Sequence, residues 1–475
     1  MEFIMVNKKS FYFSILVLLS GLLAFVVLLL NRDIALGYDK LCLFPFVYML
    51  LSIYTIKILN EKKRFYKTTS VFLFIQWLRL VLLPLIGSVS GYFDYYGSYS
   101  DEESVDLAIY LVLLETVITF CISIMFISTN REIITNDKIY RLRGSKYVYF
   151  IFVLIAAATY AFSNAKNYHF FMLNLSESRL STSIGHEGNV LGAIIDYGLT
   201  ILVILLLYYC YKNYIKSCCF RYVLFGLTVA SIRLSLISSE GRMSQLYLLG
   251  VFLMILPNMF KKYKNIIIKY ILLIATVIIG LMTVYKTYYA FLYSSYLEAI
   301  QANSFRLQGV ASQIDIYFYG VKTISKNLYF CLNSDISISQ FFIDTLKNTF
   351  GIHYLFKNNT YTTIENYNLF LYSGDSTSGY LFSSLAYGYL MFGVIIAPFA
   401  SAANVFLTYI VEKYMSRITD LDIYYIFCII YTRMLLTLFS NFPQTWNMVS
   451  RTMIIMGIVI GGSYFIKFLY KKGYI

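Results

Sequence analysis

Stretches of about twenty apolar residues recur along this whole chain, and few folds can accept them. A helix needs about 20 apolar residues to cross the hydrocarbon core of a bilayer. Inside lipid every backbone N–H and C=O must be satisfied within its own segment, which favours helices. Twelve stretches are predicted as helical spans: 11–30, 41–59, 71–90, 105–128, 147–163, 190–211, 222–238, 243–260, 266–290, 381–410, 422–440 and 449–468. The 381–410 stretch is long enough to be tilted or broken. Hydrophobic residues make up 59% of the 475 and charged residues only 13%, against about 25% charged in ordinary soluble domains. With mean hydropathy at +0.66, the apolar surface exceeds what one aqueous core takes up and must face lipid. The run Phe11 to Leu30, after Lys8 and Lys9, is longer than a signal-peptide core of about 7–15 residues, and no small-x-small cleavage site follows it. It reads as a retained first helix.

The formal net charge of +14 would suggest nucleic acid in a soluble protein. Here its distribution reads as topology, with no nucleic-acid partner. Anionic inner leaflets retain Lys and Arg on the cytoplasmic side. With the N-terminus inside, the cytoplasmic segments are NKK, IKILNEKKRFYK, REIITNDKIYRLRGSK, YKNYIKSCCFR, KKYKNIIIK, EKYMSR and KFLYKK, holding 24 of the 39 basic residues. The opposite segment GYFDYYGSYSDEE holds none. The expected fold is therefore all-α: one polytopic membrane domain over 1–475 with about 12 transmembrane helices and both termini cytoplasmic.

Two extracytoplasmic loops stand out, 164–189 and 291–380. The second carries five bases (Arg306, Lys322, Lys326, Lys347, Lys357) and six acids (Glu298, Asp315, Asp335, Asp344, Glu365, Asp375). Loops of this length are usually functional or disordered. Within it Ile338, Phe341, Phe342, Leu346 and Phe350 repeat at helical spacing, predicting a helix that lies on the membrane surface or packs on the loop's own core. Of the seven cysteines (Cys42, Cys121, Cys210, Cys218, Cys219, Cys331, Cys428), none has metal-ligand spacing with a histidine, and only Cys331 falls in an outer loop. Neither a disulfide framework nor a metal site is expected.

All three histidines, His169, His186 and His353, lie in the two outer loops. Arg233 is placed about one turn inside the seventh span, Arg433 two turns inside the eleventh, and Arg451 at the start of the twelfth. Between the seventh and eighth lies Ser238-Ser239-Glu240-Gly241-Arg242. An arginine within the membrane costs several kcal/mol unless it faces water or a partner. Either each pairs with a carboxylate or backbone carbonyl to fix helix packing, or the set Arg233, Arg242, Arg306, Arg433 and Arg451 lines an outward-facing cavity. Guanidinium forks match phosphate oxygens and stay charged, so such a cavity suits a lipid diphosphate as ligand and leaving group. Arg79, mid-span, is either structural or of no assigned role, and Lys286 reads as snorkelling. No P-loop, GxSxG, HExxH or dinucleotide turn occurs. The run Asp101-Glu102-Glu103 imitates a metal-binding diacid but reads better as solvated charge.

At these residues the chain resembles the oligosaccharide repeat-unit polymerases of O-antigen and capsule synthesis (Wzy type). Ser239-Glu240-Gly241-Arg242, followed directly by a helix, is similar to that family's small-residue/Gly/Arg turn. Arg179, followed by Gly188 and Gly192, is similar to its arginine-then-glycine pattern. Ser376 to Tyr380, leading to Gly388 and Gly393, resembles the entry to the helix after the large loop, with a longer glycine spacing. The resemblance implies a cytoplasmic-membrane glycosyltransferase that polymerises undecaprenyl-diphosphate-linked repeats on the extracytoplasmic face without cofactor or metal. Its partners would be the lipid-linked oligosaccharide donor and acceptor, membrane lipids and a chain-length regulator. Arg242 would act catalytically with Glu240, His353 or Asp375 as base; Arg179, Arg233, Arg306, Arg433, Arg451 and Tyr380 would bind substrate. Competing readings are a lipid-linked oligosaccharide flippase, which should carry midplane charge and related halves, a polysaccharide ligase, a metal-dependent lipid-sugar transferase using the 101–103 diacid, and a scaffold.

Overall fold

The computed structural model describes residues 2–31, 34–62, 66–129, 139–162, 169–170, 190–237, 242–290, 307–356, 361–371 and 381–472. Each predicted span contains a helix. Among the described residues, six helices are long and apolar enough to cross a membrane: Phe13–Leu30, Tyr38–Lys62, Lys67–Val89, Glu102–Thr129, Val190–Ser217 and Phe442–Lys471. A seventh appears if Met243–Met259 and Lys261–Ile278, bent by 115°, count as one. The protein is thus a helical, multi-pass membrane protein. By this measure the twelve expected spans are not all reached. Helix Phe220–Ser235 has 16 residues, about 24 Å at 1.5 Å per residue, and the 381–410 stretch is broken into Ser384–Phe392 and Ala397–Met415. Gly393, at φ 80°, supplies the left-handed turn at the break.

The chain forms two compact units. The first comprises Met1–Ile134, Phe305–Lys413 and Met434–Asn447. Its described part of the predicted outer loop is helical: Leu307–Phe318, Val321–Leu332, Ser339–Lys347 and Thr363–Leu371. Val321–Leu332 buries Ile324 and Leu328 in the same core as Val105, Ile109 and Phe93, so this segment packs on the spans. Local chemistry sets the helix ends. Asp101 accepts from the Ser104 amide at 2.9 Å, with Glu102 and Glu103 in the first turn; the acidic run is a helix cap matched to the dipole. Thr362 and Glu365 form a reciprocal capping box (2.6 and 3.2 Å). Glu412 accepts from the Lys67 and Thr68 amides at 2.8 and 3.0 Å, capping a helix remote in sequence.

One joint in this unit is ionic. Asp315, 1% exposed, accepts from the Lys322 amide at 3.2 Å, the Thr323 hydroxyl at 2.5 Å and the Tyr92 hydroxyl at 3.4 Å. The Lys322 ammonium donates to the Tyr92 and Tyr95 carbonyls at 2.8 and 2.9 Å and lies over both rings, 4.5 and 4.1 Å from their centroids. Burial lowers the Lys322 ammonium to about 8 from 10.5, against the attraction of Asp315. The unfolded chain therefore holds more protons between about pH 8 and 10.5, and the Lys322 contribution to stability rises with pH across that window. Thermal unfolding of wild type and Lys322→Met between pH 7.5 and 10 should show an alkaline rise in the wild type that the variant lacks. Parallel curves would exclude it.

The second unit comprises Thr135–Ser304, Tyr414–Arg433 and Met448–Ile475. Lys146–Phe162 packs on Val190–Ser217, and a Cβ placed at Gly198 would collide with the Ala156 methyl. This is the small-residue contact that lets membrane helices approach closely. Asp422, fully buried, accepts from the Gly144 amide at 3.0 Å and the Tyr149 hydroxyl at 2.8 Å, holding the 139–145 segment to the start of Leu421–Leu436. His169–Phe170 pairs antiparallel with Leu236–Ile237. Gly198→Ala should cost about 1–3 kcal/mol by overpacking, seen as an earlier thermal transition in detergent. Adding Ala156→Gly should restore most of it.

Candidate functional site

The second unit gathers three of the arginines expected to bind an anion. Arg233 occupies the last turn of Phe220–Ser235 and is 6% exposed. Its Nη2 lies 3.1 Å from Asp196 Oδ1, an ion pair whose side chains are 7% and 28% exposed. Arg433, in the last turn of Leu421–Leu436, donates through Nη1 to the Met448 carbonyl at 3.1 Å and the Thr452 hydroxyl at 3.2 Å. Thr452 in turn shares a 2.8 Å hydrogen bond with the Tyr197 hydroxyl. The Arg433 and Arg451 charges both reach Tyr197, Arg433 also reaches Tyr247, and the charges of Arg233 and Asp196 both reach Tyr425, where they oppose each other. Asp196 and Tyr197 stand about two turns into Val190–Ser217, so the helix that carries Gly198 also brings them to the arginines.

Of the two readings for Arg233, the structure shows pairing with a carboxylate, Asp196. Arg451 is not at a helix start. Asn441 caps Phe442–Lys471 by accepting from the Gln444 amide at 3.0 Å, which puts Arg451 more than two turns inside. The sequence shows this start only as a polar Ser-Asn-Phe-Pro junction. Arg242 opens helix Arg242–Met259, as expected, and His353 lies in the short turn Ile352–Leu355; the side chains of both fall outside the described set. Arg179, Glu240, Arg306, Asp375 and Tyr380 lie outside the described residues.

Two acids went unnoticed in the sequence, Asp196 and Glu115, the partner of Arg79. In sequence Asp196 is a single acid near the start of the 190–211 span. Arg79 and Glu115 are each mid-span, in Lys67–Val89 and Glu102–Thr129, and they pair at 2.6 Å with side chains 1% and 0% exposed. Arg79 Nε donates to the Tyr319 carbonyl at 2.7 Å, its guanidinium sits 4.5 Å from the Phe439 ring centroid, and Glu115 Oε1 accepts from the Ser401 hydroxyl. Arg79 rides on a π-helical turn, Leu78–Leu82, a distortion that often marks functional sites in helices. Gln76, one turn earlier and fully buried, has neither amide atom hydrogen-bonded among the described residues. Two opposite charges in separate predicted spans were the available signal.

The two ion pairs differ in a chemically useful way. Arg79–Glu115 is sealed, so its charges neutralise each other and bind nothing from outside. Arg233–Asp196 keeps partial exposure and stands with two further guanidinium groups, an arrangement that attracts anions. Among the described residues, no group of three or more His, Cys, Asp or Glu side chains is placed to hold a metal ion. Comparison with protein-family models, curated proteins and solved structures found no match.

Removing one partner of a sealed pair strands the other charge in a dry interior. Arg79→Met is expected to cost about 3–5 kcal/mol, read as a lower thermal midpoint in detergent. The double variant Arg79→Met/Glu115→Gln should recover more than half of that loss. Additive losses would show that packing of the side chains, and not their charges, stabilises the site.

Proposed function

We propose that this protein is a glycosyltransferase of the bacterial cytoplasmic membrane that polymerises undecaprenyl-diphosphate-linked oligosaccharide repeats into O-antigen or capsular polysaccharide. All twelve helical stretches cross the membrane in this reading, the base-rich loops face the cytoplasm and the reaction takes place on the opposite face. The observation that carries it is the gathering of Arg233, Arg433 and Arg451 around Asp196 and Tyr197 within one unit. A diphosphate leaving group needs permanent positive charge held in place before the bond breaks. Arginines fixed by Asp196, Thr452 and the Met448 carbonyl meet that need, since they do not have to reorganise as charge develops. A sugar hydroxyl of the acceptor attacks the anomeric carbon of the donor. The bond to the lipid diphosphate breaks, the arginines take up the charge on the departing phosphate, and the hydroxyl proton passes to Glu240, a base of the same unit. Arg179 and Arg242 complete the substrate contacts, and a chain-length regulator acts with the enzyme.

A transporter of the same lipid-linked saccharide is the second reading, favoured by one observation: the mid-span charges of Arg79 and Glu115. Complementation separates the two. Without the protein, a polymerase defect leaves single repeats on the acceptor lipid. Arg433→Ala at matched membrane levels should fail to restore the ladder, and its turnover of purified lipid-linked repeats should fall about 10²–10³-fold, the usual effect of losing one group that stabilises developing charge. Repeats stranded on the cytoplasmic face of the deletion strain would establish the transporter instead.

A further inference from the structure

Helix Ser339–Lys347 carries apolar side chains on two opposite faces, and only one of them is covered. The covered face is pinned by Asp344, 2% exposed. One carboxylate oxygen accepts from Gln340 Nε2 and the Thr363 amide, both at 2.9 Å, and the other accepts from the Tyr387 hydroxyl at 2.9 Å. Beside it Phe341 packs on Tyr387, Phe392 and Phe442, with ring centroids 6.2, 5.8 and 6.4 Å away. With that side fixed, Ile338, Phe342 and Leu346, spaced four residues apart, must point outward, and they are 57%, 65% and 45% exposed. The turn that follows Gly393 adds to the same edge through Phe392. Val394, Ile395 and Ile396 there are 49%, 81% and 49% exposed, and Phe399 is 52% exposed.

The occupant of this edge follows from its level in the fold. Phe341 stacks on Phe442, the first residue of the apolar helix Phe442–Lys471. Trp446, one turn on, stacks on Phe442 and donates its indole N–H to Thr349 Oγ1 at 2.8 Å. The patch therefore lies where a membrane helix begins, at the depth where tryptophan anchors collect. A contiguous apolar edge at that depth meets acyl chains. Among the described residues its one cation, Lys347 on the same helix, is held by Glu365 at 2.7 Å and not directed to acidic head groups.

We propose that Ser339–Lys347 and the 394–396 turn form a membrane-embedded edge. Ile338, Phe342, Leu346 and Ile395 sit among the upper acyl chains, about 5–10 Å below the head groups, and are held there by apolar burial, so attachment does not depend on anionic lipid. The periodicity that predicts a helix here counts Phe341 among the surface residues; the fold turns it inward and puts the 394–396 turn in its place. The edge goes beyond the proposed function and holds whether the protein is a polymerase or a transporter.

The experiment uses the full chain in nanodiscs, with Trp77→Phe and Trp446→Phe as background and a single reporter, Phe342→Trp or Ile395→Trp. Phosphatidylcholine brominated near the head group should quench either reporter more than lipid brominated near the chain end. The pattern should be unchanged when phosphatidylglycerol is added. Quenching by aqueous acrylamide with no effect from either brominated lipid would overturn the proposal by leaving the edge in water. Protection from both quenchers together with two copies per disc would overturn it in favour of contact between copies. A reporter quenched only when phosphatidylglycerol is present would overturn the charge-independent attachment.

Discussion

The ion pair of Arg79 and Glu115 is the constraint around which the first unit is arranged. Two charges moved from water into a dry interior cost several kcal/mol each, and their mutual attraction offsets that only when the remaining hydrogen-bonding capacity is also met. Several segments supply part of what is needed, although Arg79 Nη2 has no hydrogen-bond partner among the described residues. Ser401 donates to Glu115, the Tyr319 carbonyl accepts from Arg79, and the Phe439 ring faces the guanidinium. Tyr319 adopts φ 54° as it presents that carbonyl, a left-handed conformation that a bulky residue adopts only when its surroundings enforce it. The pair thus joins two mid-span positions to the 307–332 segment, to helix Ala397–Met415 through Ser401 and to Phe439, just before the last long helix.

The same device recurs at other joints. Asp315 and Lys322 tie the 307–332 helices to the Tyr92–Tyr95 turn, Asp344 orients Ser339–Lys347, and Glu412 caps the helix beginning at Lys67. In the second unit Asp422 does this for the Gly144 segment. Each is a carboxylate or ammonium with at least one hydrogen bond to a backbone group at a helix end or turn. In an apolar protein this is economical chemistry: one buried carboxylate can satisfy several amides at once, and the geometry it demands leaves little freedom in how the helices pack. The arginines around Tyr197 break this pattern, because the Arg233–Asp196 pair keeps contact with its surroundings while the Arg79 pair does not.

Much of the fold was legible from residue order. Every predicted span contains a helix because runs of apolar residues have few other ways to satisfy their backbone in lipid. The break in 381–410 was visible as excess length. Helix ends were less legible: Phe442–Lys471 starts before its apolar stretch because Asn441 caps it there. At the site, Arg233 and Arg433 were identifiable as charges where charge is expensive. Asp196 was not, since a lone acid near a span's start looks like a boundary residue, and its partner lies 37 positions away. Phe341 and Phe342 are indistinguishable by hydropathy, and only the hydrogen bonds at Asp344 decide which of them faces the protein.

What this chain's sequence determines by itself is its solvent: too many apolar residues and too few charges for water, with basic residues gathered between the apolar runs. That follows from composition and spacing, which are local properties that any arrangement of the helices preserves. The tertiary structure alone decided which charges meet. Arg79 finds Glu115 across 36 positions and Tyr319 across 240, and one pair is closed off while the other stays partly open. Desolvation is set by everything that packs around a group, so the cost of a buried charge, and with it the division between charges that brace the fold and charges that can hold a ligand, exists only once the helices are assembled.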